Sequence, residues 1–386
     1  MNFEPLTPEQ QLAVDAFRRF AERDIAPVVA KMDEVPFPKA QAHRLLGALC
    51  EYGVGNGWVP EADGGLGIGY VASGLLYEEL ARVSADLAGL AYVHEGAAMK
   101  INRGGSKALK ERYLPGLLSG RLIGCSAVTE PGGGSDVRAM RTRAVRDGKG
   151  YRLNGEKTFI SNAPIADVIM LTARTGDDEY SMFLVDPAEH RIETREISKL
   201  GLTRWSLGQV SFSDTWIGEE YLVAGQGAGL RETMRGFERA RIFIAILSLG
   251  IARAALDSSV AYAKERRQFG RPIGEHQLVQ AMISEMATEL DAARLLVYRC
   301  LSLLERGVRC NLEAGMAKVY ATEAAVRITS KAIQVHGAYG LTREFPLERH
   351  FRNARMLTVP DGTTQINQLV IGRELLGLDA FGHVAK

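Results

Sequence analysis

Three short stretches of this chain hold side chains that could do chemistry. Near its end, Val359-Pro360-Asp361-Gly362-Thr363 puts a carboxylate where an extended segment gives way to a helix-like pattern. Asp-Gly is among the commonest turn pairs, so Asp361 is either an ordinary turn residue or a base placed to take a proton. Residues 125–140, CSAVTEPGGGSDVRAM, set the hydroxyls of Ser126, Thr129 and Ser135 beside three consecutive glycines. Hydroxyls next to flexible backbone amides suit a polar ring edge or a phosphate, or simply a loop. The third stretch, KERRQFG at 264–270, gathers cations that on composition alone make a solvated helix face. His94 and His336 lie in apolar surroundings and are expected to be packed, not catalytic.

Several chemistries are excluded. No glycine cluster fits G-x-G-x-x-G between a strand and a helix, and no Walker A, H-E-x-x-H or G-x-S-x-G pattern occurs. The cysteines, Cys50, Cys125, Cys300 and Cys310, lack zinc spacing and read as free thiols of a reducing compartment. A net charge of +1 over 386 residues gives no nucleic-acid footprint. No basic region followed by an apolar stretch opens the chain, and the apolar run 242–252 is too short for a bilayer. A soluble, cytoplasmic protein is expected, with that run buried in a bundle.

The elements that must position these residues fall into three regions. Residues 1–122 are helical, opening with Thr7-Pro8-Glu9-Gln10, which matches a capping box with Pro at the first helical position. Residues 123–228 turn β-rich, with Asn154-Gly155 between two strand-like runs predicting a hairpin, and a small barrel or sandwich as the product. Residues 229–386 return to helices. There Val279, Met282, Ile283, Met286, Leu290 and Ala293 recur at helical spacing and mark one buried face. The fold class is α+β and multi-domain: N-terminal helices, central β domain, C-terminal helical bundle.

Against this background, TEPGGGSD at 129–136 resembles the T-E-P-x-x-G-S-D signature of the acyl-CoA dehydrogenase family. GEKTFISNAPIAD, the RRQFG segment and QVHGAYGLTREFPLERHFRNAR follow in that family's order, so the resemblance spans essentially the whole chain. It implies FAD. Val128 and Thr129 would meet the flavin's pyrimidine edge, Phe159 would pack on the ring where Trp is frequent, and Ser161 would bond near N5. Arg266 and Phe269 would reach the FAD of a neighbouring subunit, completed by Gln334 and Gly337, with Thr363 and Gln365 as further contacts. Ser135, Glu238 and Arg241 match substrate-binding positions, and Glu95 is expected near the acyl pocket.

The resemblance also assigns Asp361, at the position where most members carry Glu before Gly-Thr. A base used elsewhere in the family would fall on Ala240, which cannot act. Asp is one methylene shorter than Glu, setting the carboxylate back by roughly 1.5 Å. Relatives acting on alicyclic acyl-CoA are similar in using Asp here. Pro360 replaces a frequent Tyr and Ala338 a usual Gly. The implied activity is α,β-dehydrogenation of a cyclic or short branched acyl-CoA. Electrons would pass to an electron-transferring flavoprotein, and the subunits would form a homotetramer. Alternatives are an acyl-carrier-protein substrate, an oxygen-using oxidase, or a flavin-binding member with little activity.

Overall fold

The computed structural model describes residues 7–378 and 380. Residues 1–6, part of the stretch in which no leader pattern is read, lie outside the described residues. Thr7 caps α1 (Pro8–Phe20) through the expected box: its hydroxyl accepts from Gln10 N, and Gln10 Oε1 accepts from Thr7 N. A π-turn at Ala21–Ile25 leads to α2 (Ala26–Ala30) and α3 (Lys39–Cys50). The long α4 (Tyr70–Gly104) bends at Ser84, whose hydroxyl accepts from Leu87 N and restarts the helix. After α5 (Lys107–Leu118) the chain enters the sheet.

Eight strands form it: β1 (Gly124–Ala127), β2 (Arg143–Asp147), β3 (Gly150–Ser161), β4 (Val168–Arg174), β5 (Tyr180–Val185), β6 (Glu193–Glu196), β7 (Leu207–Gly218) and β8 (Leu222–Val223). Their order is β6-β7-β3-β2-β4-β5-β8, with β1 parallel to β4. The hairpin predicted at Asn154-Gly155 is not there. β3 runs through both residues, and the turn lies earlier, between Asp147 and Gly150. Gly155 instead sits at a register shift against β7 with φ +140°, where a Cβ would lie 2.7 Å from Thr142 Cα. A glycine at a bulge with close backbone approach looks like a turn glycine in sequence.

The C-terminal bundle comprises α6 (Gly229–Glu265), α7 (Gln277–Glu305), α8 (Asn311–His336), α9 (Leu347–Leu357) and α10 (Thr364–Leu376), with a small β9–β10 hairpin (Arg267–Gln268, Arg271–Pro272) between α6 and α7. Residues 242–252 on α6 are all buried, in the core that α4, α7 and α8 also line. Among the described residues α6 alone is long and apolar enough to cross a membrane, and 72% of that stretch is covered by the protein itself. On α7, Met286, Leu290 and Ala293 are buried as the periodicity predicts, and Val279, Met282 and Ile283 half-buried. All four cysteines are free and buried.

A buried carboxylate ties three helices together. Glu79 on α4 accepts from Arg18 of α1 at 2.7 Å, from Arg253 of α6 at 2.6 Å and from Arg82 at 3.2 Å. Burial alone would raise its carboxyl; the hydrogen bonds from Arg18 and Arg253 outweigh that and hold it at about 2.

Candidate active site

The segment between α9 and α10 is fastened at several points. Lys318 Nζ of α8 donates to Thr358 O at 2.6 Å. Asn367 Nδ2 donates back to the carbonyls of Gly362 and Thr363 at 2.7 and 3.1 Å. Thr363 caps α10, its hydroxyl accepting from Ile366 N. Gly362 has φ +91°, and a Cβ on it would lie 2.9 Å from Asn367 Nδ2, so both backbone and space call for glycine. Asp361 itself holds φ +53°, a left-handed angle that Asp tolerates better than most residues. It is a turn residue, and it is half-buried.

Among the described residues, nothing hydrogen-bonds or ion-pairs with the Asp361 carboxylate. Burial raises its pKa from 3.8 to about 6, against the pull of Lys318, Arg241 and Lys100. Such a carboxylate is ionised at neutral pH yet basic enough to accept a proton.

Four cations surround this region, and each donates to a neutral oxygen. Lys100 Nζ reaches Ser126 Oγ at 2.7 Å, Arg239 the Tyr70 hydroxyl at 3.1 Å, Arg241 the Asn311 side-chain oxygen at 2.6 Å, and Lys318 the Thr358 carbonyl. Arg241 Nε is buried with no partner. Burial pushes both lysines down, to about 8. Sequence reasoning missed Lys100 and Lys318. The available signal was a single lysine inside an apolar helical run, GAAMKI and GMAKVYA.

Tyr92, within electrostatic reach of Asp361, belongs to an aromatic nest. The Phe243 ring sits 4.6 Å from Trp58, 5.1 Å from Tyr77 and 5.6 Å from Tyr92, parallel to the last within 2°. Glu95 stands behind it, fully buried, accepting from Trp58 N and from the Tyr77 hydroxyl, each at 2.7 Å. Burial raises Glu95 to about 8, although those donors favour the ionised form. Both its oxygens are engaged in holding Trp58 and Tyr77.

On the sheet, the 128–142 loop is braced from beneath. Lys157, fully buried, donates to Val128 O and to Glu130 Oε1, each at 2.8 Å, while Glu130 accepts from Arg141 N and Thr142 N. Thr158 N donates to Thr129 O. Phe159 does not face a core as strand alternation would have it. At a second register shift it takes φ +56° and leaves its ring 60% exposed. Ser161 follows, half-buried, before Asn162, whose amide nitrogen donates to Leu90 O and Gly124 O. Ser135 is exposed on its loop; Glu238 accepts from Cys310 N at 2.9 Å. Ala240 is 5% exposed and carries no acid.

A second group of expected residues faces outward. Arg266 ends α6 with its guanidinium 5.7 Å from the Tyr339 ring, and Phe269 is 94% exposed at φ +50°. Gln334 is exposed, and Gly337 adopts φ +62°, ψ −136°, a glycine conformation. Arg266 lines a cavity of about 330 Å³ with Tyr262, Glu265 and Phe345; Thr363 and Gln365 line another of about 210 Å³ with Arg355 and Thr364. No hydrogen bond or ring contact among the described residues joins the Arg266 group to Asp361. His94 and His336 are both buried, as expected.

Comparison with known proteins accounts for this arrangement. Family models match in succession: acyl-CoA dehydrogenase N-terminal domain over 7–121, middle domain over 125–215 and C-terminal domain over 227–376. The chain is 37% identical over 378 residues to cyclohex-1-ene-1-carbonyl-CoA dehydrogenase of Geobacter metallireducens, covering 96% of this chain and 99% of that one. It is 35% identical to the CarC subunit of the caffeyl-CoA reductase–Etf complex of Acetobacterium woodii, over 93% and 96% of the two chains. A glutaryl-coenzyme A dehydrogenase solved with glutaryl-CoA superposes with TM-score 0.92 at 35% identity, over 98% of this chain and 97% of that one. Three matching domains in order and relatives alike over nearly their whole length leave one conclusion: the protein belongs to the acyl-CoA dehydrogenase family and is an enzyme of the oxidoreductase class.

Proposed function

We propose that this chain removes the hydrogens of Cα and Cβ from a cyclic or short branched acyl-CoA, with Asp361 taking the α-proton. The observation that carries the reading is Asp361 itself, a partly buried carboxylate with no hydrogen-bond or ion-pair partner among the described residues, set in a fastened turn and raised by burial to about 6. The relative named for cyclohex-1-ene-1-carbonyl-CoA supports a ring substrate. Tyr92 and Trp58, the members of the aromatic nest that keep some exposure, suit one, and a bulky ring would bring its α-carbon towards a short base.

The family is FAD-dependent, and the residues present fit that cofactor. Phe159 offers an open aromatic face, Val128 and Thr129 braced backbone, and Ser161 a hydroxyl. From a neighbouring subunit of a tetramer, Arg266 would meet the diphosphate and Phe269 the ring system, with Gln334 and Gly337 giving close backbone approach. Thr363 and Gln365 complete the set. When bound, FAD supplies the acceptor for the hydride leaving Cβ. Arg241, Glu238 and Ser135 would hold the thioester arm. The relative named for an Etf complex supports an electron-transferring flavoprotein as the next carrier.

Anaerobic titration of the flavin-loaded protein with butyryl, isobutyryl, isovaleryl, octanoyl and cyclohexanecarbonyl thioesters tests this. Cyclic and branched thioesters should bleach the oxidised flavin fastest. Asp361→Asn should slow bleaching at least about 100-fold while retaining flavin; unchanged bleaching would remove Asp361 from its role.

A further inference from the structure

A base and a flavin pocket leave Lys100 unexplained. On the second half of α4, Tyr92, Gly96 and Lys100 recur every four residues and share one face. That face is open at Gly96, where a Cβ would meet no atom within 4 Å. Opposite, Gly236 on α6 leaves Lys100 room: a Cβ there would stand 3.7 Å from Cε and 4.0 Å from Nζ. Asp361 lies within electrostatic reach of both Tyr92 and Lys100. An aromatic ring and an ammonium thus share one helix face within electrostatic reach of Asp361.

Charge balance points the same way. Lys100 has no carboxylate ion pair among the described residues, and its one hydrogen bond goes to the Ser126 hydroxyl. Arg239, Arg241 and Lys318 likewise donate to neutral oxygens. Glu238 and Glu374 also face Arg241, and Glu323 faces Lys318, whereas the carboxylate acting on Lys100 is Asp361, which loses its charge on taking a proton. A buried ammonium with only neutral partners is costly, and a ligand anion would offset that cost. The Ser126 hydroxyl, accepting from Lys100, keeps its own proton to donate.

We infer that Lys100 and Ser126 form an anion subsite for a carboxylate carried by the acyl group close to its reacting carbons. The hydrocarbon arm would meet Tyr92, at the other end of the same helix face. The substrate class is then a monothioester of a branched or cyclic dicarboxylic acid. This rests on Asp361 being the base.

The test pairs thioesters that differ by one charge: methylmalonyl with isobutyryl, glutaryl with valeryl, and 2-carboxycyclohexanecarbonyl with cyclohexanecarbonyl. Binding to the flavin-loaded enzyme is read from perturbation of the flavin spectrum, separately from bleaching. At least one carboxylated member should bind wild type more tightly than its neutral partner. Lys100→Met should weaken that member by roughly 30-fold or more and leave the neutral one unchanged, with Lys100→Arg restoring part of the difference. Neutral members binding as tightly throughout, or Lys100→Met weakening both members alike, would overturn the subsite. The wild-type panel decides even if the variants fold poorly. If neutral thioesters bleach the flavin through Asp361 but charge brings no advantage, the subsite alone fails. If no thioester bleaches it, the dehydrogenase reading fails first.

Discussion

At the scale of single residues, Asp361 is a turn residue, and the proposed reaction would give it a second role as base. Asp361-Gly362-Thr363 is a tight turn because Gly362 has no room for a Cβ and Thr363 begins a helix. The same restraint holds the carboxylate still. Burial raises its pKa to about 6, so the reactive, ionised form is lost as pH falls through that value. The single-turnover rate of flavin reduction should therefore drop about tenfold per pH unit below 6 and level off above 7. A profile flat down to pH 4.5 would show that Asp361 is not the group being titrated. Linkage has the opposite sign for stability. The folded state binds this proton more tightly than the unfolded one, so Asp361 favours folding at low pH and loses that contribution between pH 4 and 6. Phe159 and Lys100 were less legible. The first depends on a strand irregularity, the second on neighbours far away in the chain: Ser126, Gly236 and Asp361.

Among elements, the three-part layout was readable because hydrophobic period changes sharply, from helical to alternating and back. The caps of α1 and the buried face of α7 followed local chemistry and held. Asn154-Gly155 did not, because one glycine serves turns and bulges alike and only its approach to Thr142 separates them. Cross-helix polar links were invisible for another reason: Glu79, Arg18 and Arg253 are far apart in sequence. That link makes a prediction. Removing one partner of a buried pair strands the others, so Glu79→Ala should cost about 3–5 kcal/mol in denaturant unfolding. Because the Glu79 carboxyl is held at about 2, its contribution is full above pH 4.5 and is lost as pH falls towards 2. The gap between wild type and variant should narrow accordingly in acid; a constant gap would assign the loss to packing.

For the whole molecule, the informative residues are those left open to solvent. Phe269 and Arg266 stand at the tip of α6, exposed, next to a strained hairpin. Large exposed aromatics beside a cation mark a surface meant to be covered. Arg266→Ala should lower flavin retained per chain after gel filtration, and Phe269→Ala should lower it less. Both should shift the elution profile towards smaller species at low concentration. Full flavin content in Arg266→Ala would mean that the cofactor is held without a neighbour. In that arrangement a site is composite, its base from one chain and part of its cofactor cradle from the next. Mixed assemblies of an Asp361 variant with an Arg266 variant would then regain some working sites.

The Asp361-Gly362 turn also sets a limit on the enzyme's lifetime. Glycine leaves the following amide nitrogen unshielded, so it can attack the Asp361 side-chain carboxyl, expelling water and closing a five-membered imide. Water can reopen that ring at either carbonyl, and one product carries an extra methylene in the main chain and a displaced acid. A carboxyl that is partly protonated near pH 6 is the better electrophile for this step. Old molecules should thus accumulate isoaspartate at position 361, keeping mass, fold and flavin while losing the proton acceptor. Peptide mapping of aged against fresh enzyme would read this directly, and unaltered Asp361 in inactivated samples would refute it. A chemical clock is then built into the residue proposed as the base.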